Sequence, residues 1–286
     1  MTASTNVATG SLSAAVADAA ARLAAAGVDS PRHDAEELAA HLLGVRRGDL
    51  RTHEAIDLPR YEVLVARRAL REPLQHLTGV AGFRYLDLLA GPGALVPRPE
   101  TELVAGEAIT FARAVEGHPA LVVDLGTGSG AIALAVASEV PGSIVHAVEP
   151  DPDALAWAAR NAEATGHVVH LHLAGAAAAL PGLDGTVDVV VSNPPYLPDG
   201  SWIADEVRHD PALALWGGPD GLDVVREVVT AAERLLLPGG ALVLEHDARH
   251  SAELRSLLAA SPAWTGETTH RDLTGRDRFV TARRTR

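Results

Sequence analysis

A glycine-rich turn between an apolar strand and a helix is the feature that most constrains the fold of this chain of 286 residues. The predicted strand is Leu121–Leu125, the turn is Gly126–Gly130, and the helix begins at Ala131. Glycines let a backbone approach a ligand closely, and the N-terminus of a helix offers N–H groups without partners. The pattern predicts a nucleoside-type cofactor at the end of this strand. The expected cofactor contacts are Gly126, Thr127, Gly128, Ser129 and Gly130.

Two acids accompany this turn in the predicted sheet. Glu149 ends the next apolar run, Ile144–Glu149, and a carboxylate at that place accepts hydrogen bonds from ribose hydroxyls. Asp124 precedes the turn, where it either caps backbone N–H groups or faces the charged end of the cofactor. The turn also satisfies the dinucleotide fingerprint with alanine in its last position, so this motif alone leaves a dehydrogenase open.

A proline pair follows the predicted buried strand Val187–Ser192, within the tetrapeptide Asn193–Tyr196. Prolines have no backbone N–H and stiffen the chain, so the carbonyl groups there are free and fixed in direction. The Asn193 side-chain oxygen and the Pro194 carbonyl can accept both N–H bonds of a planar NH₂ group, with the Tyr196 ring stacked on its plane. We expect a clamp for an amide or an exocyclic amine. Its members are Asn193, Pro194, Pro195 and Tyr196.

The clamp and the glycine turn together favour S-adenosylmethionine over a dinucleotide. Ligands of open α/β sheets bind where parallel strands end, so a clamp on a later strand meets the cofactor there. Asn193 is therefore expected to contact the cofactor as well as the substrate. Gly130 and Asp124 also fit this cofactor better than they fit NAD. The residues themselves predict methyl transfer to a planar nitrogen.

Composition excludes several classes of site and partner. The chain has no cysteine, which excludes disulfides, thiolate catalysis and Cys-based zinc sites, and its histidines lack metal-binding spacing, so we expect no metal. A formal net charge of −13 disfavours a large nucleic-acid footprint. No apolar run approaches the ~20 residues of a membrane span, and the first thirty residues lack the basic region of a secretory signal. We expect a cytoplasmic protein that contacts neither membranes nor nucleic acids directly.

The order of helix and strand patterns predicts two domains and a linker. Amphipathic segments near 11–26, 33–44 and 60–71 predict a helical domain over 1–75, which serves substrate recognition or acts as a stabilising cap. Glycines around an apolar run predict a β-hairpin linker over 76–97. From 98 to 286, alternating helices and strands predict an α/β fold with a doubly wound, mostly parallel, Rossmann-like sheet.

The chain resembles the bacterial protein-(glutamine-N5) methyltransferases that act on peptide chain release factors, over most of residues 73–280. The Pro-Arg-Pro-Glu-Thr-Glu block within Leu95–Glu102 narrows the resemblance to this family. Besides the glycine turn and the clamp, the matching segments are Pro73–Gly79, Leu95–Glu102, Asp210–Leu215, Gly218–Asp223, Leu242–His246 and Asp272–Phe279.

The resemblance implies a specific reaction. The protein would transfer the methyl group of S-adenosylmethionine to the glutamine side chain in the Gly-Gly-Gln loop of a release factor, leaving S-adenosylhomocysteine. Asn193, Pro194 and Tyr196 would be the catalytic residues, in a monomeric enzyme. One segment departs from the family, because Ala174–Ala179 has no side chain able to hydrogen-bond adenine, which leaves that contact to the backbone.

Three other functions share parts of this pattern. A nucleic-acid amine methyltransferase acting on adenine or guanine would use the same clamp but needs a basic groove. A methyltransferase acting on glutamine in a ribosomal protein would share nearly every motif. A dehydrogenase or a non-catalytic nucleotide-binding module needs only the glycine turn and leaves the clamp unexplained.

Overall fold

A computed structural model describes residues 9–285 of the chain. These residues divide into two units. The first contains the described residues up to Val80 together with the segment Ile203–His209, and the second contains Ala81–Trp202 and the described residues from Asp210 onward.

The first unit is helical, as the sequence predicts. Its α-helices begin where backbone chemistry favours a start: Pro31 stands at the first turn of α2, and the Asp57 side chain accepts the Arg60 N–H at 3.2 Å at the start of α3. Gly44 ends α2 in the left-handed conformation. The elements are β1 (Thr9–Ser11), α1 (Leu12–Ala25), α2 (Pro31–Leu43), a 3-10 helix (Arg47–Thr52), β2 (Ala55–Asp57), α3 (Leu58–Ala69), α4 (Leu74–Thr78) and a 3-10 helix (Val207–His209).

This unit has a core of its own. Tyr61 is fully buried and donates its hydroxyl to the Ala35 carbonyl at 2.8 Å. Arg68 is buried as well, with Asp34 at 2.7 Å and Glu206 at 2.6 Å, so its charge is compensated inside the unit. The segment that carries Glu206 therefore belongs to the helical unit by its ion pairs.

The second unit is built on a seven-stranded sheet in the order β10-β11-β9-β8-β5-β6-β7. Neighbouring strands from β9 to β7 are parallel, and β10 and β11 are antiparallel, which confirms the mostly parallel sheet. The strands are β3 (Val80–Phe83), β4 (Leu86–Leu89), β5 (Leu121–Leu125), β6 (Ile144–Glu149), β7 (His170–Leu173), β8 (Val187–Ser192), β9 (Leu236–Glu245), β10 (Trp264–Arg271) and β11 (Asp277–Arg284). Strands β3 and β4 form a separate pair.

Helices cover both faces of this sheet. Apolar residues of α5 and α6 join one buried cluster and those of α8 and α9 join the other, while successive strand residues such as Val122 and Val123 alternate between the two. The helices are α5 (Thr101–Arg113), α6 (Ala131–Glu139), α7 (Pro152–Thr165), α8 (Asp223–Leu235) and α9 (Ser251–Ala259), with short 3-10 helices at Ala176–Ala178, Ala212–Ala214 and Ala248–His250.

The strand order places a crevice at the end of β5. This strand pairs with β6 on one side and β8 on the other, so that Leu125 stands opposite both Val148 and Ser192. The chain fills the sheet outward in one direction through β6 and β7 and then reverses at β8, and ligands of such sheets bind at that reversal. Over residues 9–285, no helix is long and apolar enough to cross a membrane.

Candidate active site

A cavity of about 260 Å³ opens where β5, β6 and β8 end. The glycine turn forms one wall of this cavity. Gly126 and Gly128 have φ angles of +73° and +56°, and a Cβ atom added to either would meet no other atom within 4 Å. These two glycines therefore keep open space that any side chain would fill. Thr127 and Ser129 also line the cavity.

Gly130 has a different structural role from Gly126 and Gly128. Its φ angle is +84°, and a Cβ atom there would lie 3.2 Å from the Ala158 Cβ in α7 and 3.2 Å from Leu134 Cδ1 in α6. Gly130 does not line the cavity. The structure thus places it at the contact between two helices rather than beside the predicted cofactor.

Asp124 stabilises the glycine turn through hydrogen bonds and does not face the cavity. Its Oδ2 accepts the Thr127 hydroxyl at 2.6 Å and the Ala133 N–H at 3.1 Å. The residue is fully buried, and this burial raises the pKa of its carboxyl to about 7. Since Asp124 does not line the cavity, the structure favours the capping role over a direct contact with the cofactor.

Glu149 joins the turn to the end of β6. Its Oε2 accepts the Gly128 N–H at 2.8 Å and its Oε1 accepts the Asp151 N–H at 3.0 Å. The carboxylate lines the cavity with only 7% of the residue exposed, and burial raises its pKa. Each carboxylate oxygen has a second lone pair, so Glu149 can also accept hydrogen bonds from hydroxyl groups in the cavity.

Asn193, Pro194 and Pro195 form the opposite wall. Asn193 Nδ2 donates to the Thr101 hydroxyl oxygen at 3.2 Å, which turns the amide oxygen Oδ1 away from Thr101. Within the described part of the chain, neither Asn193 Oδ1 nor the Pro194 carbonyl accepts a hydrogen bond. The structure therefore brings together at this cavity the two acceptors that the sequence predicts.

Glycines from a later loop pack closely against the segment Asn193–Tyr196, here called the proline loop. A Cβ atom on Gly217 would lie 2.7 Å from the Pro195 carbonyl oxygen, and one on Gly221 would lie 2.5 Å from the Tyr196 carbonyl oxygen. Such distances to backbone atoms are too short for any side chain. The Gly217 N–H also donates to the Leu197 carbonyl at 2.9 Å. Gly221 lies in the segment Gly218–Asp223 that matches the family, and its close contact with the Tyr196 carbonyl gives a structural reason for glycine there.

Tyr196 is not part of the cavity lining. Its hydroxyl lies 3.4 Å from Glu245 Oε1, and burial raises the pKa of this hydroxyl. Its ring packs against the buried cluster of α8 and α9. The structure thus separates Tyr196 from the other three members of the predicted clamp and gives it a partner that the sequence did not indicate.

Thr101 and Glu245 are the site residues that sequence reasoning missed. Both are buried, and the Thr101 hydroxyl donates to Glu245 Oε2 at 2.8 Å. Burial raises the pKa of the Glu245 carboxyl to about 7. One signal was available, because an acid at the end of the apolar run Leu242–Leu244 must either leave the core or find partners there.

The charges around the cavity are mostly negative. Glu149, Asp151 and Glu227 line it. Arg98 lines it too, but its guanidinium pairs with Asp210 at 2.5 Å, and Asp210 also accepts the Val96 N–H at 3.2 Å. This arrangement suits a cationic ligand better than an anionic one.

Comparison with known proteins gives consistent matches along the chain. A family model described as the PrmC N-terminal domain matches residues 14–79, and one described as the methyltransferase small domain matches residues 108–209. The release factor glutamine methyltransferase of Streptomyces coelicolor is 54% identical over 96% of this chain and 98% of its own. The protein of the same name from Mycolicibacterium smegmatis is 49% identical over the same shares.

A solved structure supports the fold. The 16S rRNA N2 G1207 methyltransferase of T. thermophilus, in complex with AdoMet and guanosine, superposes with a TM-score of 0.51. It covers 72% of this chain and 50% of that chain, at 22% sequence identity. At this identity the similarity concerns the fold alone.

Proposed function

We propose that this protein, which belongs to the family of release factor glutamine methyltransferases, methylates the side-chain amide nitrogen of a glutamine in a peptide chain release factor. The methyl donor is S-adenosylmethionine, and the glutamine is that of the Gly-Gly-Gln loop. The observation that carries the proposal is a pair of acceptors at the edge of the cavity, Asn193 Oδ1 and the Pro194 carbonyl, which accept no hydrogen bond from the described residues.

An NH₂ group is the natural partner of these two acceptors. A primary amide has two N–H donors in one plane, and two neighbouring acceptors can bind both of them. The nitrogen of an amide is a weak nucleophile because its lone pair is delocalised into the carbonyl. Binding both N–H bonds orients this nitrogen and stabilises the positive charge that it gains as it forms a bond to carbon. The proton can leave after the transfer, so we assign no general base.

The glycine wall fits the proposed cofactor. When bound, S-adenosylmethionine supplies a methyl group attached to a positively charged sulfur. The open space at Gly126 and Gly128 admits a ligand close to the backbone, and Glu149 offers a carboxylate to ribose hydroxyls. Gly175 and Ala176 also line the cavity, and neither has a polar side chain. Any hydrogen bond from these residues to adenine must therefore come from their backbone groups.

The charge of the cavity argues against the alternatives. A dinucleotide brings a pyrophosphate with two negative charges, which would meet Glu149, Asp151 and Glu227. A nucleic-acid substrate needs a cationic groove, whereas Arg98 is already paired with Asp210. A ribosomal-protein substrate is less well supported, because the relatives at 54% and 49% identity are named for release factors.

We assign recognition of the release factor to the helical unit. It has its own buried core and matches a family-specific N-terminal domain, but in its described residues we find no chemical motif. We further propose that the protein acts as a monomer in the cytoplasm, where translation ends.

Mass spectrometry of a purified release factor tests this function. The factor is incubated with the protein and with S-adenosylmethionine that carries a deuterated methyl group, and then digested. We expect the label on the glutamine of the Gly-Gly-Gln peptide and none on a matched factor with glutamate at that position, which has no NH₂ group. Label on another residue, or no label at all, would contradict the proposal.

A further inference from the structure

We propose that Glu245 and Thr101 are positioning residues that fix the orientation of the Asn193 side-chain amide, so that its oxygen faces the substrate. The inference rests on the proposed function, because it concerns how the same clamp is held. Neither residue is assigned to the clamp by its motif, and Glu245 does not touch the cavity.

A chain of hydrogen bonds leads from a buried acid to the clamp. Glu245 Oε2 accepts the Thr101 hydroxyl at 2.8 Å, and Thr101 Oγ1 accepts Asn193 Nδ2 at 3.2 Å. The other carboxylate oxygen accepts the Tyr196 hydroxyl at 3.4 Å. Glu245 is 1% exposed and Thr101 is 5% exposed, so the hydrogen bond between these two residues is buried.

The chemistry of the three groups gives this chain a direction. An ionised carboxylate has no hydrogen and can only accept. A threonine hydroxyl has one hydrogen, and once this hydrogen points to Glu245, the Thr101 oxygen can only accept from its other neighbour. That neighbour is Asn193, which must therefore present its NH₂ group to Thr101.

The reversed amide is disfavoured for the same reason. Rotation by 180° would place Asn193 Oδ1 against the Thr101 oxygen, with no hydrogen between two acceptors. A buried polar pair of this kind loses a hydrogen bond and adds repulsion. Asn193 then keeps Oδ1 directed away from Thr101, and this oxygen is available to bind an N–H of the substrate.

The location of Glu245 is consistent with such a task. Burial raises the pKa of its carboxyl to about 7, so ionisation there opposes folding. An apolar residue at the end of β9 would avoid this cost. Besides the two hydroxyls, Arg278 and Glu100 are the charged neighbours that act on this carboxyl. At pH 8 the group is mostly ionised and acts as a pure acceptor.

Substitutions that keep size but change hydrogen bonding test the inference. In Glu245→Gln, the new NH₂ group can donate to Thr101, whose hydrogen then turns to Asn193 and attracts its oxygen. Thr101→Val removes the hydroxyl altogether, and Thr101→Ser retains it. Thr281→Val is the matched control, since Thr281 is a buried threonine of β11 whose hydroxyl bonds His270 instead.

The measurements are kcat and KM for a release factor at pH 8, and cofactor affinity by calorimetry. We expect Glu245→Gln and Thr101→Val each to lower kcat roughly ten-fold, the rate equivalent of one hydrogen bond of about 1.4 kcal/mol. Cofactor affinity should stay within about two-fold, as should every parameter of Thr101→Ser and Thr281→Val. In an Asn193→Ala background, Thr101→Val should cause no further loss, because Thr101 acts through Asn193.

The possible outcomes separate the inference from the function. If the wild-type protein transfers no methyl group, the proposed function fails and the inference fails with it. If the wild type is active and Thr101→Val matches it, only the inference fails. A full additional loss from Thr101→Val in the Asn193→Ala background would also overturn the inference, because it would show an independent structural role. If Glu245→Gln does not fold, the two Thr101 variants decide the question.

Discussion

The two walls of the cavity are built in opposite ways. The glycine turn presents open space beside its backbone, while the N–H groups of Gly126, Thr127, Gly128 and Gly130 already have partners within the protein. Two carboxylates, Asp124 of β5 and Glu149 of the neighbouring strand β6, stabilise this turn. The proline loop presents oxygen acceptors, and its side-chain supports, Thr101 and Glu245, come from α5 and β9, while Gly217 of the following segment packs against its backbone. The difference shows that a glycine turn and two adjacent strands suffice to keep open space beside a backbone, whereas free acceptors need neighbours that bind the other polar groups of their loop and leave the acceptors unpaired.

The largest expected effect is at the glycine turn. Gly128→Val places a branched side chain in the cavity at a φ angle of +56°, so we expect no detectable binding of S-adenosylmethionine by calorimetry. Gly185→Val is the matched control, because Gly185 also has a positive φ angle, +68°, with no atom near its Cβ position, and lies away from the cavity. Wild-type affinity in Gly128→Val would mean that the cofactor binds elsewhere.

This contrast also explains what the sequence could predict. The turn, Glu149 and the parallel strands follow from short-range patterns of apolar, glycine and acidic residues, and all were predicted. The task of Gly130 was not, because its neighbour Ala158 belongs to another helix. The partners of Asn193 and Tyr196 were missed for the same reason, since Thr101 and Glu245 approach them only when α5 and β9 pack beside β8.

The second prediction concerns the support of the proline loop by the segment that follows it. In Gly217→Ala, the new methyl group would lie 2.7 Å from the Pro195 carbonyl oxygen, so the loop must shift. A misplacement of about 1 Å at a reacting centre costs roughly 10²-fold in turnover. We expect that loss in methyl transfer with cofactor affinity unchanged, whereas Gly182→Ala, whose Cβ position is open, should match the wild type. Equal turnover in both variants would show that the loop does not depend on this support.

The third prediction tests the support of the turn by Glu149. Glu149→Ala removes an acceptor for ribose hydroxyls and releases the Gly128 N–H, so cofactor binding should weaken by roughly 1–3 kcal/mol. Turnover at saturating cofactor should change much less, since Glu149 does not contact the clamp. Calorimetry and steady-state kinetics separate the two quantities. A large fall in turnover with unchanged affinity would remove Glu149 from the cofactor wall.

The smallest expected effect concerns two buried carboxyl groups, one behind each wall of the cavity. Burial raises the pKa of Asp124 from 3.8 and that of Glu245 from 4.5, both to about 7, so the folded protein keeps protons that the unfolded chain releases. Their stabilising contribution is complete below about pH 4 and is lost as the pH rises to about 7. Asp124→Asn and Glu245→Gln should each flatten this fall in the free energy of unfolding, by at most about 1.4 kcal/mol per pH unit.

Urea denaturation at pH 5 and pH 7 measures this difference. Asp220→Asn is the control. The Arg226 hydrogen bond is the largest of the interactions that lower the pKa of the Asp220 carboxyl to about 2, so in the wild type this group stays ionised between pH 5 and pH 7 in both the folded and the unfolded state. The slope of that variant should equal that of the wild type. Unchanged slopes in Asp124→Asn and Glu245→Gln would show that neither carboxyl keeps its proton in the folded protein.

The central claim is that the Asn193 oxygen holds the substrate nitrogen during methyl transfer. Single-turnover methylation of a release factor at saturating cofactor measures this step directly in Asn193→Ala. The loss of one preorganised hydrogen bond at a reacting centre typically costs ~10² to 10³ in rate, so we predict a fall of at least that size, with a smaller fall in cofactor affinity. A rate within about threefold of the wild type, far above that expectation, would contradict the clamp mechanism.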